Sequence, residues 1–260
     1  MPLIKPQIQI GFLTIHLYGL IIAASIYAGY LLTKKRSSAY RIPQKIFDDP
    51  ILLLPLILAI VGARLYHVLD YWSIYSNNPV EIFYIANGGL GIWGAIAGLV
   101  LGFWFVAKVR NLNFLSVLDL VSPSLLLGQA IGRLGNYVNQ EGFGPPTDKL
   151  WGIYISPEHR PYQFANLNYF HPTFFYEAAL DIIFFVLLLY LSKKLNVKGQ
   201  LFSMYLILYS IGRFISEFWR IDTATIGTLK VAHVLSVLTF VIGLLLFLRG
   251  KNLTNEKGSL

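Results

Sequence analysis

The chain has 260 residues, is 55% hydrophobic and only 13% charged, and its formal net charge is +8. Soluble domains run near a quarter charged, so composition alone excludes an ordinary soluble domain and points to an integral membrane protein. The absence of cysteine also excludes disulfides, thiolate metal sites and a cysteine nucleophile.

The opening MPLIKPQIQIG lacks a basic region followed by a short apolar core and a cleavage site, so no removable signal peptide is expected. Apolar runs of roughly 20 residues, enough to span a hydrocarbon core, fall at about 13–33, 51–70, 89–107, 115–134, 173–192, 200–219 and 229–248. The fourth is the weakest, broken by Asp119 and Pro123. Lys and Arg gather in alternate connections: Lys34, Lys35, Arg36, Arg41 and Lys45 in the first; Lys108 and Arg110 in the third; Lys193, Lys194 and Lys198 in the fifth; Arg249, Lys251 and Lys257 in the tail. The second connection has none. The basic residues therefore read as a topology signal and anionic-lipid contact, with no nucleic-acid partner. The alternation puts the C-terminus in the cytoplasm and the N-terminus outside. With no repeat or linker visible, the expectation is one all-α, polytopic domain over 1–260. Seven transmembrane helices are expected, with an extracytoplasmic segment at about 135–172, between spans four and five.

The polar residues inside the spans then need explaining. His16 and Tyr18 open the first span, and Arg64, His67 and Asp70 lie toward the outer end of the second. The third begins NGGLGIWGAIAG at 87–98, suited to close helix packing or to a loop whose amides face a ligand. Asp119 calls for an arginine partner or a proton.

The stretch GQAIGRLGNYVNQEGFGPPTD, 128–148, packs Arg133, Asn136, Asn139, Gln140 and Glu141 together at the end of the fourth span. Gly128, Gly132 and Gly135 recur at helical spacing and suit close approach; Gly142, Gly144, Pro145 and Pro146 end the helix. Such a cluster at a membrane edge reads as a functional site, the alternative being a polar anchor at the headgroups. The aromatics that follow, Trp151, Tyr154, Tyr162, Phe164, Tyr169 and Phe170, read either as an interfacial belt or as a lid over the site.

The fifth span begins HPTFFYE, with Pro172 suited to a first helical turn and Tyr176, Glu177 and Asp181 on neighbouring turns. The sixth ends YSIGRFISEFWRID, which puts Tyr209, Arg213, Glu217 and Arg220 on one helical face. Arg213 and Glu217 pair at i, i+4. These residues form a purely structural ladder or, with Arg133, two arginine clusters sharing a phosphate, which guanidinium binds bidentately while staying charged. HExxH, GxSxG, a Walker loop and an aspartate run for magnesium are all missing. What is left fits an enzyme using no metal or cofactor on a phospholipid headgroup.

The run GRLGNYVNQEGFG at 132–144 closely resembles the signature of the bacterial prolipoprotein diacylglyceryl transferases. The resemblance extends to HLYG at 16–19, GARLYHV at 62–68, the glycine-rich start of the third span, HPTFFYE at 171–177 and GRFISEFWR at 212–220. It implies a seven-span enzyme of the bacterial plasma (inner) membrane. That enzyme transfers the diacylglyceryl group of phosphatidylglycerol to the lipobox cysteine thiol of a prolipoprotein, giving a thioether and glycerol phosphate. It further implies Arg133 and Arg213 as catalytic arginines and Asn136, Asn139 and Glu141 on the headgroup or orienting Arg133. Tyr18, Tyr209, Glu217 and Arg220 would form a supporting shell, and Gly144, which closes the signature run, would bind substrate together with Arg64 and His171 from the other motifs. Two positions depart from the pattern: Trp93 stands where many relatives carry a histidine proposed as the base, and His233 where they usually have glutamine. His233 is expected to be a packing residue. A transporter or flippase for an anionic lipid is the reading from another class; two related halves with broken helices would mark it, and the sequence shows neither.

Overall fold

The computed structural model describes residues 6–11, 13–85 and 88–258. Strands β1 (Gln7–Ile10) and β2 (Leu13–His16) precede helices α1 (Leu17–Arg36), α2 (Leu54–Asp70), α3 (Trp72–Tyr75), α4 (Ile92–Val109) and α5 (Phe114–Asn139). Strands β3 (Ile153–Tyr154) and β4 (Tyr169–Phe170), helices α6 (Thr173–Leu191) and α7 (Gln200–Ser216), strands β5 (Thr225–Ile226) and β6 (Leu229–Lys230), and helix α8 (Val231–Gly258) complete the order. The fold is all-α and polytopic: among the described residues seven helical segments are long and apolar enough to cross a membrane, α3 being too short. Among the described residues the strands form three two-stranded antiparallel ribbons.

Two boundaries differ from expectation. The first helix starts at Leu17 because Leu13–His16 pairs with Gln7–Ile10; alternation in LTIH fits a strand better than a helical turn. The fourth span, expected to be the weakest, is more apolar than the first and the sixth; it runs 26 residues and has the largest buried share of the seven. A helix lined by protein rather than lipid does not need an apolar surface, and Ser122, Ser124 and Asp119 are all buried on it.

The described residues form two compact units, Lys34–Leu118 and the rest of the chain, Met1–Thr33 with Asp119–Leu260. In Lys34–Leu118, α2 and α4 meet backbone to backbone. A Cβ on Gly62 would strike the Gly94 carbonyl, one on Gly98 the Leu58 carbonyl, and one on Gly102 the Pro55 backbone. Asp48 pairs with Lys34 at 2.8 Å, and Asp49 pairs with Arg110. Asn87 of the glycine-rich stretch lies outside the described residues.

In the larger unit α7 packs between α6 and α8. Span serines turn back on their own helices: Ser203 Oγ donates to Gly199 O at 2.6 Å, Ser210 Oγ to Leu206 O at 2.6 Å and Ser236 Oγ to Ala232 O at 2.7 Å. Each hydroxyl is thus satisfied without a partner helix. Asp119 accepts backbone N–H bonds from Gly199 (2.6 Å) and Phe202 (2.8 Å), the start of α7; a helix amino terminus thus meets the acid, favourable for an anion. The segment after α5 folds on Phe143, Ile155, Phe170 and Phe174, all nearly inaccessible, with β3 and β4 paired beside them.

Candidate functional site

The site is built around Glu177. Pro172 caps α6 one residue before its first turn, so Glu177 falls on the second turn, 5% exposed. Three guanidinium groups converge on its carboxylate. Arg133 of α5 pairs with Oε2; Arg220 Nη1 lies 3.4 Å and Arg213 Nη1 3.7 Å from Oε1. Arg213 Nη2 also reaches Glu217 Oε2 at 2.6 Å, the expected i, i+4 pair. Glu217 itself is fully buried.

At 3.7 Å the Arg213 Nη1 contact is a charge contact beyond hydrogen-bond range, and among the described residues this buried donor has no hydrogen-bond partner. It lines a cavity together with Arg133, Glu177, Asp181 and Tyr209. A buried guanidinium N–H without an acceptor is costly, and it has the geometry to receive an anion oxygen. Arg133 is held from its other side: its Nη1 donates to Asn136 Oδ1 at 3.4 Å, and Asn136 Nδ2 (3.2 Å) and Asn139 Nδ2 (3.3 Å) both donate to Glu141 Oε1. Arg133, Asn136, Asn139 and Glu141 are thus one chain of hydrogen bonds ending on a guanidinium, while Gln140 Oε1 accepts from Ser156 N at 2.6 Å.

Arg220 does not share the α7 face with Arg213, because α7 ends at Ser216 and Glu217–Trp219 tightens to a 3-10 turn. Extended backbone at Arg220 turns the side chain back to Glu177, and Asp222 grips it at 3.1 and 3.0 Å. Burial lowers the affinity of this guanidinium for its proton, but the Asp222 hydrogen bonds and the charges of Asp222, Glu177 and Glu217 more than offset it, raising the pKa. Lys230 Nζ donates to the Glu217 and Arg220 carbonyls at 2.6 and 3.1 Å, holding this turn in place.

Other expected residues take different places. The Tyr18 ring packs on Gly135, where a Cβ would lie 2.6 Å from it; Gly132 has only Ile22 near, at 3.9 Å, and Gly128 faces open space. Of the three spaced glycines, one therefore serves close approach. Tyr209 stacks on Tyr205 with ring centres 6.0 Å apart, and Tyr205 accepts from Gln129 at 3.1 Å. Gly144 is required by packing, since a Cβ there would meet Thr173 Cγ2 at 2.7 Å and the Trp219 carbonyl at 2.8 Å. His171 Nδ1 lies 3.0 Å from the Tyr176 hydroxyl, which also accepts from Trp151 Nε1 at 2.9 Å. His233 is sandwiched against Phe214 and Phe218, 4.6 and 4.8 Å between ring centres.

Arg64 belongs to the Lys34–Leu118 unit. It is 6% exposed, and its five donors are taken by backbone carbonyls: Nε by Ile82, Nη1 by Gly88 and Gly89, Nη2 by Glu81 and Tyr84. The Tyr75 ring lies 5.0 Å away. A guanidinium has five N–H donors, so none is left for a phosphate; Arg64 ties down the chain before α4. Glu177 is the converse case, a residue whose part in the site the sequence did not single out. A buried acid between an early-helix tyrosine and a further acid was the available signal.

The sequence profile of the family described as prolipoprotein diacylglyceryl transferase matches residues 6–249. The phosphatidylglycerol–prolipoprotein diacylglyceryl transferase of Halalkalibacterium halodurans is 39% identical over 98% of this chain and 90% of its own. Those of Thermosynechococcus vestitus, 39% identical over 91% of this chain and 88% of its own, and Trichormus variabilis, 41% identical over 91% and 86%, bear the same name. With this coverage and these motifs, the chain belongs to the prolipoprotein diacylglyceryl transferase family.

Proposed function

We propose that this chain transfers the diacylglyceryl group of phosphatidylglycerol to the lipobox cysteine thiol of a prolipoprotein, forming a thioether and releasing glycerol phosphate. The observation that carries this reading is the cavity in which Arg133 and Arg213 stand together, with the buried Arg213 Nη1 lacking an acceptor. Sulfur attacks the glyceryl carbon and the C–O bond to phosphate breaks, so negative charge grows on the departing phosphate. Two guanidinium groups fixed beforehand meet that charge without reorganising, and removing one such donor costs about 3–4 kcal/mol of barrier lowering. Their planar forks suit a phosphate, and they stay charged in a dry site.

The remaining residues hold this pair. Asn136, Asn139 and Glu141 orient Arg133, while Glu217 and Glu177 hold Arg213. Arg220 supports Glu177, Tyr209 lines the cavity, and Tyr18 packs on Gly135 of the same helix as Arg133. The reading uses no metal or cofactor. The enzyme sits in the bacterial inner membrane with its N-terminus outside, and the segment at about 135–172 lies on the outer face beside its lipid and prolipoprotein substrates. The test is direct: the purified full chain, phosphatidylglycerol vesicles and a lipobox peptide should yield a thioether-linked peptide and glycerol phosphate. Vesicles lacking phosphatidylglycerol should yield none, and lipid translocation without thioether would replace the transferase reading with a flippase.

A further inference from the structure

The cavity holds a second carboxylate that the phosphate clamp does not use. Asp181 lies one helical turn beyond Glu177 on α6, roughly 6 Å further along the axis, and lines the cavity with Arg133, Tyr209 and Arg213. Every other acid of the site is engaged. Glu177 and Glu217 meet guanidinium groups, Asp222 is gripped by Arg220, and Glu141 accepts from two amides. Among the described residues, Asp181 has no ion-pair partner within 4.0 Å. An ionisable group placed inside a membrane span without a partner is a costly arrangement that function, rather than stability, accounts for.

Resting on the transferase reading, we propose that the Asp181 carboxylate takes the proton from the attacking thiol and returns it to the departing phosphate. The S–H proton moves to a carboxylate oxygen, and its electron pair stays on sulfur. Sulfur then forms the bond to the glyceryl carbon as the C–O bond breaks, with that pair going to the phosphate oxygen. Asp181 gives its proton to the glycerol phosphate and is a carboxylate again. Glu177 and Glu217 are poorly suited to this task, since guanidinium groups already stabilise their charge. Arg133 and Arg213, on the same cavity, favour the thiolate once formed. Asp181 is thus a catalytic residue complementary to the arginines: they stabilise negative charge, and it carries the proton from nucleophile to leaving group.

The test compares full-length Asp181→Asn and Asp181→Ser with the unmodified chain on phosphatidylglycerol vesicles. Each is given a lipobox peptide carrying cysteine and the same peptide carrying selenocysteine, whose selenol is already ionised at neutral pH. Loss of a general base costs typically 10²–10⁴-fold, so both variants should lose about that factor in kcat with cysteine and recover most of it with selenocysteine. The lipid KM should hold. The ratio of selenocysteine to cysteine turnover is read on whichever variant folds. A ratio unchanged from that of the unmodified chain, or a loss confined to lipid KM, would overturn the proton role and make Asp181 a distant counter-charge. Absence of thioether product from the unmodified chain would instead remove the transferase reading, and the proton role with it.

Discussion

Glu177→Gln removes one charge from the centre of three guanidinium groups and leaves the side-chain shape almost unaltered. The carboxylate is 5% exposed, and two of its contacts stand at 3.4 and 3.7 Å. A single pair near 4 Å is worth about 4 kcal/mol of attraction at an effective dielectric of about 20. The three arginine side chains are 25%, 22% and 16% exposed, so water screens part of this, and the substitution also spares the desolvation of the acid. Breaking a buried pair typically costs about 3–5 kcal/mol, and the lower end applies here. At ~2–4 °C per kcal/mol for a chain of this size, the melting midpoint of the detergent-purified variant should fall by roughly 6–12 °C. The freed guanidinium groups should then bind an anion more strongly, so phosphatidylglycerol should raise the variant's midpoint more than that of the unmodified chain. An unchanged midpoint, or equal lipid protection in both proteins, would refute the idea that Glu177 holds the three arginines in place.

Arg133→Lys and Arg213→Lys should each lower kcat by about 10²–10³-fold in folded protein, because lysine keeps the charge but loses the planar fork; near-normal turnover in the folded fraction would reduce both arginines to struts. Reporter fusions should place 34–45 and the C-terminal tail in the cytoplasm and 142–170 outside, and the reverse result would move the site to the other face. Chelators should leave thioether formation unchanged, and a loss restored by one divalent ion would contradict a metal-free reaction. Arg64→Lys, with three donors in place of five, should lower the melting midpoint without changing the lipid KM; a raised KM would return Arg64 to the binding site.

Much of this arrangement was legible in the sequence. Hydropathy gave seven spans, and spacing alone gave the Arg213–Glu217 pair, since i, i+4 neighbours meet on any helix. The hidden parts depend on distance along the chain. Glu177 meets Arg220 across 43 residues, and no local pattern announces such a partner. Arg220 was misplaced because the helix tightens and stops just before it, a change that depends on packing rather than on propensity. The partners of Arg64 were hidden for a similar reason. A buried arginine near a membrane surface suggests an anion, but a run of carbonyls supplied by the following loop satisfies it equally well. The opening strand pair concealed itself in an apolar run that counts equally well toward a helix.

The glycine face between α2 and α4 limits how this protein can vary. Most packed contacts can drift, because an enlarged side chain on one helix can be answered by a smaller one opposite. Here the opposing atoms are carbonyls and backbone carbons of Gly62, Gly94, Leu58 and Pro55, which no substitution can shrink. A methyl group added at Gly94 or Gly98 therefore has no second-site remedy on the facing helix, short of moving the whole helix. Descendants of this sequence can change the lipid-facing sides of these two helices freely, while the seam between them stays fixed.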